Sequence, residues 1–236
     1  MAINKEGTAY TFIFAIALVV VVGSILAMLS IQLKPMQDAN LRVKKKMDIL
    51  GALKIESDRS NAEDLYGQYI KDENCLVLDA NGNETDGVAF DVDIKKEYKD
   101  KNLAEEDRQY PLYVATVEGD TKYVIPVVGS GLWGPIWGYI AVNGDKNTIY
   151  GAKFDHQGET PGLGAEIKQA FFYDQYTGEQ ISNNGAYKKI KVVKDGTGAE
   201  QNNGAVDGIT GGTITSKGVE EMVNRTLKVY VQYFNK

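Results

Sequence analysis

The chain has 236 residues, 43% of them hydrophobic and 25% charged, with a formal net charge of −6. That length can bury a full core, and the acidic balance excludes the general basic field that a nucleic-acid partner requires. Cys75 and His156 are the single cysteine and the single histidine, so an internal disulfide, a four-thiolate iron–sulfur cluster, a zinc site and Ser-His-Asp catalysis are all poorly supplied.

After a short tail (1–9), the chain enters an apolar stretch. No side chain from Gly7 to Leu33 is charged, which exceeds the roughly 20 residues an α-helix needs to cross a bilayer. A signal peptide would have an apolar region of roughly 7–15 residues ending at small residues; here Lys34-Pro35 follows instead. The stretch 10–33 is therefore read as a retained, single-pass transmembrane helix. Lys34, Arg42, Lys44, Lys45 and Lys46 follow it, against only Lys5 before it. Taken alone, that count puts the following domain in the cytoplasm.

Residues 34–72 read as a juxtamembrane helical segment. Pro35 suits a first helical turn, and Met36, Ala39, Val43, Met47 and Leu50 recur at three- and four-residue spacing before Gly51. A second short helix fits Asn61 to Lys71. The remaining segment, 73–236, reads as one domain. Strands are expected at Cys75–Leu78 and, past the turn residues Asn81-Gly82, at the alternating Val88–Ile94. A charged linker or short helix fits Glu97–Asp107. Further strands are expected at Tyr110–Val117, Lys122–Val128, Ile136–Val142, Thr148–Asp155 and Tyr187–Val193, with a short helix from Ala165 to Phe172. An amphipathic helix, Val219–Phe234, closes the chain with Val219, Met222, Val223, Leu227 and Tyr230 on one face. Hairpin strands followed by helices define an α+β domain with an antiparallel sheet flanked by helices.

Three segments carry possible chemistry. Gly129-Ser-Gly-Leu-Trp-Gly134 spells G-x-G-x-x-G after a strand, but Pro135 and another strand follow where a dinucleotide site needs a helix; a tight reversal fits better. Trp133 and Trp137 lie in this region, either as packing residues or as a wall beside a planar ligand. In His156-Gln-Gly-Glu-Thr-Pro-Gly-Leu-Gly164, glycines bracket Leu163 and permit close backbone approach to a ligand, with Glu159 and Thr160 as possible hydrogen-bonding groups. An ordinary surface loop has the same composition. In Asp207-Gly-Ile-Thr-Gly-Gly-Thr213-Ile-Thr-Ser216, paired glycines precede the last helix. Thr215 or Ser216 can cap that helix, and its start favours an anion, with Lys217 available to assist. A plain glycine turn into a capped helix remains the competing reading.

At these residues the chain resembles the FMN-binding domain family, which includes the C subunits of sodium-translocating NADH:quinone oxidoreductases and the G subunits of Rnf complexes. Asp207-x-x-Thr210-Gly211-Gly212-Thr213 is similar to the family's flavinylation motif, Asp-x-x-(Ser/Thr)-Gly-Ala-Thr, with Gly212 in place of the usual alanine. Lys34-Pro-Met-Gln-Asp-Ala-Asn40, Gly131-Leu-Trp-Gly-Pro-Ile-Trp-Gly138 and Gly158-Glu-Thr-Pro-Gly-Leu-Gly164 extend the likeness over nearly the whole chain and favour the quinone-reductase branch. The resemblance implies FMN joined covalently to Thr213 by a phosphoester and installed by an FMN transferase. It implies cofactor contacts from Asp207, Thr210, Gly211, Gly212, Glu159, Thr160, Gly162, Leu163, Gly164 and Trp133, with no residue required as acid or base. It further implies a bacterial inner-membrane protein in contact with lipid, its domain on the periplasmic side, relaying electrons from a membrane metal centre to another flavin among the other subunits of a respiratory complex. An Rnf-type subunit or a tethered module without redox chemistry are the rival readings.

Overall fold

A computed structural model describes residues 7–194, 196–200 and 202–236. The chain forms two compact units, the first ending at Lys44 and the second spanning Lys45–Lys236. Helix α1 (Thr8–Ala52) contributes to both. Its N-terminal part carries Phe12, Ile13, Phe14, Ile16, Leu18, Val19 and Leu26 exposed all round, and it is long and apolar enough to cross a membrane. Pro35 lies inside α1 rather than at the start of a separate helix. A proline in that position cannot donate to the carbonyl four residues earlier, that of Ile31, yet the helix continues on both sides.

The second unit is built in chain order from the end of α1, α2 (Ala62–Tyr69), β1 (Leu76–Leu78), β2 (Glu84–Thr85), α3 (Ile94–Lys99), β3 (Tyr110–Val117), β4 (Asp120–Ser130), β5 (Pro135–Asn143) and β6 (Ile149–His156). It continues with α4 (Ala170–Tyr173), β7 (Ser182–Asn183), β8 (Ala186–Tyr187), β9 (Lys191–Val193), β10 (Ala205–Asp207) and α5 (Thr213–Phe234). Six strands form an antiparallel sheet in the order β2-β1-β3-β4-β5-β6. Successive residues on a strand point to opposite faces, and here both faces are covered. Leu112, Ile125, Val127, Ile140 and Val142 pack with Val219, Met222, Val223, Leu227 and Tyr230 of α5. Tyr113, Ala115, Val124, Tyr139 and Ala141 pack with Ile49, Leu50, Tyr66 and Ile70. The expected α+β architecture is therefore present, as a sheet between two helical layers.

Several expected elements differ. Val88–Ile94 is not a strand. Ala89–Asp91 is a 3-10 turn, and the Asp93 side chain accepts hydrogen bonds from the Lys95 and Lys96 amides at 3.1 Å, capping α3. Burial alternates only from Phe90 to Asp93, with Phe90 and Val92 buried and Asp91 and Asp93 exposed, whereas Val88 is exposed and Ala89 buried. The carbonyls of Phe90 and Val92, however, accept from the Lys45 ammonium at 2.6 and 3.1 Å. The strand partner of β1 is instead Glu84–Thr85, directly past the Asn81-Gly82 turn. Tyr187–Val193 divides into β8, in a hairpin with β7, and β9, parallel to β10. The helix expected at Ala165–Phe172 is a 3-10 segment, Gly164–Lys168, followed by α4. Helix α5 starts six residues earlier than its apolar face announces.

Candidate functional site

That early start places Thr213 in the first turn of a 22-residue helix whose N-cap is Gly212, with no side chain capping it. The turn before it is held by the Gly212 amide donating to Ile209 O (2.9 Å) and by the Ile209 amide donating to Ser216 Oγ (3.0 Å). Gly211 takes φ 73°, a left-handed conformation that side chains with a Cβ adopt at a cost. Ser216 and Thr215 are thus occupied elsewhere and are not the cap expected from the sequence. The first amides of an α-helix have no partner within the helix, which makes such a start suited to an anion.

An open cleft of about 220 Å³ lies over this helix start. Three segments wall it. Leu132 and Trp133 come from the β4–β5 turn, Glu159, Thr160, Leu163 and Gly164 from the loop after β6, and Gly211 through Thr215 from the start of α5. The turn closes as a hairpin, the Gly131 amide donating to Gly134 O at 2.8 Å, so the glycines of the G-x-G-x-x-G string reverse the chain as expected. The loop folds on itself: the Leu163 and Ala165 amides both donate to Thr160 O at 3.1 Å, and the Gly162 amide donates to Glu166 Oε1 at 2.8 Å. These bonds leave apolar side chains turned outward around the cleft. Trp133 is 69% exposed, Ile214 59% and Leu132 51%, a concentration of uncovered apolar surface that marks a binding site rather than a core. Thr213 is half-buried among the lining residues.

The structure therefore gathers Trp133, Glu159, Thr160, Leu163, Gly164, Gly211, Gly212 and Thr213 about one cleft. Asp207, Thr210 and Gly162 do not line it. Asp207 braces the approach to α5: its amide donates to Gln175 Oε1 at 2.7 Å and its carboxylate accepts from the Gly198 amide at 3.2 Å. Lys217 points away, its ammonium bound to Val192 O and Glu220 Oε2, both at 2.6 Å. Trp137 lies beneath the Lys95 ammonium, 3.2 Å from its ring centroid. His156 is drawn into the loop, its Nδ1 accepting from the Glu159 amide at 3.1 Å. Leu132, Ile214 and Thr215 are cleft residues that sequence reasoning missed. The available signal was that Ile214 is apolar beside a threonine in a first helical turn, where it has no core to enter.

An uncapped helix start beneath apolar walls suits a molecule with an anionic end and a flat, apolar body. This is the arrangement of a flavin-mononucleotide-binding domain, and the FMN-binding domain family model matches residues 131–228, a span containing all three walls. The chain belongs to the family of Na(+)-translocating NADH-quinone reductase C subunits. It is 34% identical over 234 residues to the C subunit of Vibrio anguillarum, covering 93% of this chain and 90% of that one. It is 31% identical to the C subunit of Haemophilus ducreyi over 231 residues, covering 92% and 88%. The crystal structure of the Parabacteroides distasonis C subunit superposes with a TM-score of 0.76 at 43% identity, covering 86% of this chain and 98% of that one. Shewanella oneidensis NqrC superposes with a TM-score of 0.70 at 24% identity, a likeness of fold.

Proposed function

We propose that this chain is the C subunit of a sodium-translocating NADH:quinone reductase, anchored by α1 and carrying FMN through a phosphoester to Thr213. The observation that carries the reading is the position of Thr213: a hydroxyl-bearing residue in the first turn of a long helix without a side-chain cap, lining a cleft together with Leu132, Trp133, Leu163 and Ile214. The residues present fit the group. A phosphoryl on Thr213 would meet backbone amides and the positive end of the helix dipole, so the charge is accommodated without a lysine. Trp133, Leu163 and Ile214 offer surface for a planar ring.

In the attachment step, the Thr213 hydroxyl oxygen forms a bond to the FMN phosphorus of FAD while the pyrophosphate P–O bond breaks. AMP leaves with the electron pair and the hydroxyl proton is released, a reaction performed by an FMN transferase. When bound, FMN supplies the electron-transfer chemistry. The chain holds the phosphate and offers apolar surface to the ring. In this reading the domain lies on the periplasmic face of a bacterial inner membrane, among the other subunits of the complex.

The test is in-gel fluorescence of denatured protein together with the mass of the peptide containing Thr213. Natively produced protein carries a covalent flavin, and Thr213→Ala abolishes both signals. A fluorescent Thr213→Ala band, or an unmodified Thr213 peptide from natively produced protein, refutes the attachment.

A further inference from the structure

Glu159 is one of few buried charged residues among the described residues, 5% exposed, although it stands in a loop of glycines and a proline. Its carboxylate does not face open solvent as a ligand group would. Oε1 accepts the backbone amide of Trp133 at 2.8 Å, and Oε2 accepts the hydroxyl of Thr215 at 2.5 Å. Those two donors sit on the other two walls of the cleft. One side chain therefore joins the β4–β5 turn, its own loop and the first turn of α5.

The surrounding glycines make room for this junction. A Cβ on Gly131 would lie 2.6 Å from Oε1, and a Cβ on Gly164 would lie 2.5 Å from Oε2. Real Cβ atoms do not approach so closely. Two glycines from separate motifs thus answer to the same carboxylate, which bonds across 26 positions in one direction and 56 in the other.

We propose that Glu159 is the positioning residue of the cleft, acting through Trp133 and Thr215 rather than by touching the flavin. The assignment deepens the flavin reading and rests on it for its consequence. The clamp itself is made of bonds within the chain. Removing it frees the Trp133 wall and the turn that follows Thr213, so the site loses its preorganised shape. Glutamine preserves it: the amide oxygen accepts from the Trp133 amide, and the amide NH₂ donates to a Thr215 hydroxyl turned to accept.

The experiment has two arms on the full-length chain. In the first, hydrogen exchange is followed in the Thr213→Ala background, where no flavin is attached to that position. Glu159→Ala should accelerate exchange about tenfold in the segment containing Trp133, as expected when a buried amide loses its acceptor, while Glu159→Gln exchanges like its parent. In the second, covalent flavin loading is followed with Thr213 intact. Glu159→Ala should load about tenfold more slowly, Glu159→Gln at the wild-type rate, and the visible circular dichroism of the loaded flavin should change only in the alanine protein. Thr215→Val, which deletes one bond at nearly constant volume, should slow loading too, and the double variant should be no slower than Glu159→Ala alone. Unchanged exchange in Glu159→Ala overturns the proposal, as does a glutamine variant that behaves like alanine. Absence of covalent flavin from the wild type would strike the Thr213 reading, and the exchange arm would still decide Glu159.

Discussion

Lys45, one of the basic residues that follow the apolar stretch, is a structural cation. Its ammonium donates to the carbonyls of Phe90 and Val92 at 2.6 and 3.1 Å and lies 4.7 Å from the centroid of the Phe90 ring. Lys45→Met keeps the apolar stem and removes the charge. A hydrogen bond to a charged donor contributes about 1.5–3 kcal/mol, and a cation over a partly exposed ring about 0.5–1 kcal/mol. The site is half-buried, so solvent replaces part of both, and a net loss of about 2 kcal/mol is expected. The control is Lys34→Met, which removes an exposed pair to Asp38 at 3.8 Å and should cost no more than about 0.5 kcal/mol. Both are read by urea unfolding of the full chain in detergent, followed by the fluorescence of Trp133 and Trp137. A Lys45→Met midpoint no lower than that of Lys34→Met, at equal slope, would refute the structural role.

Two further outcomes follow from the same geometry. Gly211→Ala imposes a Cβ at φ 73° and sets it 2.6 Å from Leu163 Cδ2; it should cost about 1–2 kcal/mol in thermal unfolding and reduce flavin loading by displacing Leu163 from the cleft. Cys75 tests alkaline behaviour: burial pushes its thiol up from 9.0 to about 11. Because the folded value is the higher, the protonated thiol's contribution is complete below pH 9 and is lost as pH rises through about 11. Iodoacetamide alkylation of the native chain should therefore rise with a midpoint near 11, and a native midpoint at 9 would refute the burial.

The long strands were legible because β3, β4 and β5 are rich in β-branched and aromatic residues and lie between clear turn residues. Val88–Ile94 misled because alternating burial does not require a ladder: Phe90 and Val92 are anchored, and a lysine, not a strand, takes their carbonyls. The first turns of α5 were hidden for a different reason. Thr213-Ile-Thr-Ser-Lys-Gly218 is a poor helix former, and Gly218 is there because the helix presses on the sheet, where a Cβ would lie 2.1 Å from Ser130 O. Such a demand is tertiary and leaves no local periodicity. The cleft follows the same division. Thr213 and the Glu159–Gly164 loop stand out as motifs, whereas the bond between Glu159 and Thr215 spans 56 positions and exists only once the fold has formed.

The lysines after the apolar helix argue for a cytoplasmic domain only if nothing else accounts for them. Lys45 satisfies two carbonyls, and Lys46 pairs with Glu63 at 2.5 Å and lies 5.0 Å from the Tyr66 ring centroid. A basic residue retained because the fold needs its ammonium carries little information about topology, and the charge asymmetry across the helix shrinks accordingly. The periplasmic placement proposed here then faces no strong electrostatic objection, and it can be measured. Asp120 is exposed at the start of β4 and does not line the cleft. With Cys75→Ser removing the native thiol, Asp120→Cys should react with a membrane-impermeant maleimide in intact cells, as fast as after lysis. Reaction only after the inner membrane is opened would put the domain, and any flavin it holds, on the cytoplasmic face.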